Sequence, residues 1–150
     1  MSSPIQPVVV SPKQLTSHNI EQFGDPSQGN CTWHTLVSAP HTNTNSLSSG
    51  IAVCQPRIGC LRHHRHKEAE IYYIISGEGI VHIDGVEHHV SAGSTVFIPG
   101  DAEHAIFNQA EEELKWFYVF ATDSFGDIVY RFTPDKTAVE DTKAVEGAGL

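Results

Sequence analysis

Ile71-Tyr72-Tyr73-Ile74-Ile75-Ser76-Gly77-Glu78-Gly79-Ile80-Val81-His82-Ile83-Asp84-Gly85-Val86-Glu87-His88-His89-Val90 is the stretch whose reading settles the fold class. Its apolar runs are β-branched and aromatic, which suits a pleated surface, and turn residues break them. Ile71 to Ile75 reads as a buried strand. Asp84-Gly85 is the preferred pair for a tight hairpin, because both central residues of a type I′ turn need positive φ. Val86 to Val90 is then the returning strand.

The same chemistry extends in both directions. Strands are expected at Cys31–Ser38, Ser49–Pro56, Ser94–Ile98, His104–Asn108, Leu114–Ala121 and Ile128–Phe132. Pro40–Ser49, Ala92-Gly93 and Pro99-Gly100-Asp101 separate several of them as loops and turns. No run of ten or more residues carries a helical apolar stripe, so the fold class is all-β, a sandwich or small barrel. Residues 1–26, rich in Ser, Pro, Gln and Asn, read as an N-terminal arm ordered by docking. Residues 27–133 form the barrel, and 134–150 an acidic tail.

A chain of 150 residues fits one domain with a core of its own. The formal charge of −9 repels phosphate backbones and anionic lipid, so neither nucleic acid nor membrane is an expected partner. The start, with no basic region and only a short apolar run at Val8-Val9-Val10, does not read as a signal peptide. Three cysteines, Cys31, Cys54 and Cys60, form no Cys-x-x-Cys pair and suit free thiols in a reducing, cytoplasmic compartment.

Ten histidines are the compositional oddity. In His63-His64-Arg65-His66-Lys67-Glu68-Ala69-Glu70, residues two apart on a strand share a face, so His64 and His66 point together and His63 points away. Two imidazoles about 6–7 Å apart along a strand can converge on one ion. Glu70 joins them only if the chain folds back within Lys67-Glu68-Ala69, since a straight strand would carry it about 13 Å further. His104, just after the Pro99-Gly100-Asp101 loop, is the natural fourth donor.

Gly59-(x4)-His64-x-His66-(x3)-Glu70-(x6)-Gly77 resembles the first cupin motif, with one residue fewer than usual before the first histidine. Gly93-(x5)-Pro99-x-Asp101-(x2)-His104-(x3)-Asn108 resembles the second, with Asp101 in the usual second glycine position and Gly100 one place early. The resemblance implies a double-stranded β-helix, or jelly-roll, barrel. It also implies one divalent transition metal, Mn, Fe, Co, Ni or Zn, on His64, His66, Glu70 and His104. Nitrogen and oxygen ligation does not choose among these ions.

The His-x-His-x3-Glu-x-Tyr string is similar to that of cupin lyases that cleave dimethylsulfoniopropionate. By that resemblance Tyr72, two residues after Glu70 and on the same face, is the base that removes an acidic proton. Trp33, Asn108, Tyr118 and Phe120 are candidate walls of the substrate pocket, and Asn108 could instead orient His104. The expected activity is that of a metal-dependent lyase or isomerase on a small carboxylate or carbonyl metabolite. A mononuclear dioxygenase and a non-catalytic metabolite-binding protein are the alternatives. A homodimer is expected by family analogy.

Overall fold

The computed structural model describes residues 3–12 and 20–134. Of the tail expected at 134–150, residues 135–150 lie outside them, as do residues 1–2 and 13–19 of the expected arm. Two antiparallel sheets face each other. The first contains β1 (Glu21–Gln22), β2 (Thr32–Val37), β3 (Ser48–Cys54), β10 (Leu114–Phe120), β5 (Glu70–Ser76) and β8 (Thr95–Ile98), in that spatial order. The second is ordered β11 (Arg131–Phe132), β4 (Gly59–Arg65), β9 (His104–Asn108), β6 (Glu78–Ile83) and β7 (Val86–Ser91). From β3 onward the chain passes back and forth between the sheets, except at the β6–β7 hairpin, as in the expected jelly roll.

Alternation places the core. Along β10 every second residue, Leu114, Trp116, Tyr118 and Phe120, is buried, and they meet Ile74, Ile98 and Ile106 between the sheets. The β6–β7 turn has the geometry its sequence asked for, with φ of 47° at Asp84 and 82° at Gly85.

Three features depart from the sequence reading. β5 is buried on one face only, leaving Ile71, Tyr73 and Ile75 exposed on the outer side of the first sheet. Among the described residues nothing covers that side fully, so apolar content alone overstated its burial. Glu21 and Gln22, placed in the arm, pair with Trp33 and Thr32 at the sheet edge, and Phe23 packs on the core. The strand expected at Ile128–Phe132 shrinks to Arg131–Phe132, and a 3-10 turn at Phe125–Asp127 precedes it. No helix among the described residues is long and apolar enough to cross a membrane.

Candidate metal centre

The donors come from both sheets. β4 and β9 are neighbours, with His64 opposite His104. A register shift between Leu61 and His64 decides this pairing. In the register set by Gly59↔Asn108 and Leu61↔Ile106, His63 would stand opposite His104. The bulge adds one residue and turns His64 inward instead. His63 faces the outside, its Nε2 3.1 Å from His82 Nδ1.

After Arg65 the chain leaves the second sheet, turns, and enters the first at Glu70. The Pro99–Asp101 loop braces this corner. The Asp101 N–H donates to the His66 carbonyl at 2.8 Å, and a side chain at Gly100 would collide with the Lys67 carbonyl. Asp101 itself adopts φ of 62°, the left-handed conformation glycine usually takes, and its carboxylate pairs with Arg131. The exchange of Gly and Asp relative to the common motif is therefore accommodated: Gly100 serves close approach and Asp101 tolerates the turn.

All four candidate donors are buried: His64 and His104 at 0% exposure, His66 at 1%, Glu70 at 4%. Donor nitrogens of the three histidines lie within 4.8 Å of one another. Glu70 Oε2 is 3.1 Å from His66 Nε2 and 3.3 Å from His104 Nε2. An ion with bonds near 2.1 Å sets neighbouring donors about 3–3.4 Å apart, a spacing that both Glu70 separations meet.

Each imidazole is oriented through its other nitrogen. Nδ1 of His64 lies 2.7 Å from the Arg62 carbonyl, that of His66 2.9 Å from Glu68, and that of His104 2.9 Å from Ala102. A carbonyl only accepts, so Nδ1 carries a proton in each, and Nε2 of the neutral ring presents a lone pair inward. Nε2 of His64 and of His104 are buried with no hydrogen-bond partner. Inward lone pairs beside a carboxylate repel unless a cation lies among them, and the backbone-anchored imidazole is the usual arrangement of a metal ligand. Burial, and then the neighbouring His104, push the His64 imidazolium well below its ordinary range, which keeps it neutral. Burial also disfavours the His66 imidazolium, but the Glu70 hydrogen bond and charge outweigh it and raise the value. The residues present fit a divalent ion.

A cavity of about 20 Å³ adjoins the donors at Glu70. Tyr72, Trp33 and Tyr118 line it, as does Trp116. Gly50 leaves room for the Tyr118 hydroxyl, which a Cβ there would strike. Phe120 packs edge-on against His66, ring centroids 5.1 Å apart, and steadies a donor without forming the wall.

Asn108 is brought to neither place. At the far end of β9, its Nδ2 donates to the carbonyls of Cys54, Gln55 and Glu112, and its Oδ1 accepts from the Ala110 N–H. It is a latch between strand ends, and its side chain is too fully bonded to orient His104 or meet a ligand. Arg65 is likewise occupied, donating to the Asp101 carbonyl.

Tyr130 and Phe125 were missed by the sequence reading. Both line the cavity, and Tyr130 stacks on His64 at 5.0 Å with rings 29° apart. They lie on or beside the irregular 3-10 segment, where no periodicity says which way a side chain points. Cys31 also lines the cavity, and burial pushes its thiol up to about 12, so it stays protonated at neutral pH.

The family described as Cupin domain matches residues 53–120. The dimethylsulfoniopropionate lyase DddW of Ruegeria pomeroyi is 40% identical over 124 residues, covering 81% of this chain and 80% of that one. An acireductone dioxygenase of a Sulfurihydrogenibium species is 29% identical over 73 residues, 46% of this chain and 41% of that one. A predicted oxalate decarboxylase of Thermotoga maritima superposes with a TM-score of 0.64 at 26% identity, covering 77% of this chain and 99% of that one.

Proposed function

The chain belongs to the cupin family, and from that premise we propose that it is a metal-dependent lyase on a small carboxylate bearing an onium leaving group, dimethylsulfoniopropionate being the first candidate. The observation that carries this reading is a buried cluster of three histidines, with Glu70 within 3.3 Å of two of them and lining a cavity walled by aromatic rings. The similarity to DddW over most of both chains supports the substrate class.

His64, His66, Glu70 and His104 would hold the ion. A bound divalent cation supplies Lewis acidity toward the substrate carboxylate and favours a nearby phenolate. Tyr72 is the proposed base. It shares the inner face of β5 with Glu70 and lines the same cavity. Burial, and then the Glu70 charge, hold its pKa well above the ordinary phenol value, so the side chain rests as a phenol in the metal-free protein. The reactive form is the phenolate, whose oxygen takes the proton α to the carboxylate. That C–H electron pair forms the Cα–Cβ double bond, and the Cβ–sulfur bond breaks with its electrons going to sulfur. Acrylate and dimethyl sulfide result, and the proton passes from Tyr72 to solvent. Trp33, Tyr118 and Tyr130 exclude water, and their ring faces suit a sulfonium by cation–π attraction.

The partial similarity to a dioxygenase favours a second reading, oxidative cleavage on the same donors. Turnover of dimethylsulfoniopropionate under strict anaerobiosis tests both. Dimethyl sulfide released at the aerobic rate is expected for the lyase; strict dependence on O2 would replace it with the oxygenase.

A further inference from the structure

The inner cavity has room for about one water. Immediately outside lies a vestibule of about 610 Å³ bordered by Glu21, Thr35, Leu36, Pro40, Ser124 and Gly126. Among the described residues, Phe125 is the one that lines both. A ligand larger than water that crosses from this vestibule to Glu70 must displace its ring. We propose that Phe125 is the gate and size filter of the metal cavity, with the vestibule as its entrance; the proposal rests on the reading of the cavity as a small-molecule site.

The surroundings of Phe125 suit a side chain that swings while its backbone stays. Its N–H donates to Ser38 Oγ at 2.9 Å, and next to it the Ala39 N–H donates to the Asp123 carbonyl at 2.9 Å, so the segment is tied to the chain between β2 and β3. The ring meets four aromatic neighbours, Trp33 at 6.0 Å, Tyr118 at 5.8 Å, Phe120 at 5.9 Å and Tyr130 at 6.5 Å. These contacts are non-directional beside hydrogen bonds and can be exchanged on rotation. Gly126 leaves the turn uncrowded, since a Cβ there would meet only Ser124 Oγ, at 3.7 Å.

Both tryptophans of the chain, Trp33 and Trp116, line the cavity, so acrylamide quenching of their fluorescence reads the opening without metal or turnover. In the full chain, Phe125→Ala and the milder Phe125→Leu should raise the quenching constant at least about twofold, as expected when access no longer waits on a minor open population. Phe97→Ala, on the exposed outer face, should leave it unchanged. Cys54, wholly buried and off the cavity wall, should stay protected from thiol reagents in all three. In the metal-loaded protein, Phe125→Ala should shift the preference between acetate and benzoate as competing ligands toward benzoate by about tenfold. Unchanged quenching in both Phe125 variants would overturn the gate. Equal loss of Cys54 protection would assign Phe125 to core packing instead, and an unchanged ligand ratio would remove the size filter. A protein that opens as described but releases no dimethyl sulfide sinks the lyase reading and leaves the gate standing.

Discussion

Strand β9 begins at His104 and ends at Asn108, and both side chains are wholly buried. Asn108 shares its two Nδ2 hydrogens among three carbonyls and accepts from one N–H, so its burial is compensated within the chain. His104 is anchored through Nδ1 alone, and its Nε2 has no hydrogen-bond partner. The two ends of one strand separate two uses of a buried polar group. Where every bond is made internally, the group holds the fold. Where a lone pair is left aimed at two other imidazoles and a carboxylate, the fold holds the group for something else.

The largest test of this contrast is to remove the donor. In His104→Ala, and equally in His64→Ala, metal uptake by elemental analysis should fall at least about 100-fold, with activity lost and the far-ultraviolet circular dichroism of the wild type retained. Retention of one ion per chain in both would break the contrast. Next comes the proposed base. Tyr72→Phe should keep the metal and lose at least about 100-fold in kcat, the usual size of a general-base contribution. Tyr130→Phe beside it sharpens the assignment, because the larger loss identifies which cavity phenol takes the proton. At the other end of β9, Asn108→Ala should lower unfolding free energy by about 3 kcal/mol in urea titration, since partners are left buried and unpaired, while metal stoichiometry stays at one. The smallest effect is expected at the braced corner. Asp101→Gly relieves the positive φ but drops the exposed Arg131 pair, for a net change within about 1 kcal/mol in the same titration.

Much of this arrangement could be read from residue order. His64 and His66 share a face by parity, Glu70 returns through the short polar corner, and the Asp84-Gly85 turn fixes its hairpin. Other parts depend on contacts that no local pattern encodes. Parity counted from the buried Leu61 would have turned His63 inward, and only the bulge against β9 reverses this. The aromatic Ile71–Ile75 run looked buried on both faces because strand composition does not report whether a second layer exists outside. Tyr130 and Phe125 reach the cavity from a segment without regular period, and Asn108 is satisfied by carbonyls up to 54 residues away in the chain.

The bulge in β4 also bears on how the length of this chain can change. Leu61 and His64 both point inward with two residues between them, where strict alternation would allow one. Deleting either Arg62 or His63 would straighten the strand, and His64 would still meet His104 in the register already set at Leu61. Two chain lengths thus keep His64 opposite His104, but the shorter one loses or displaces the Arg62 carbonyl that anchors His64 Nδ1, so a single-codon loss here should preserve the strand pairing and weaken the donor.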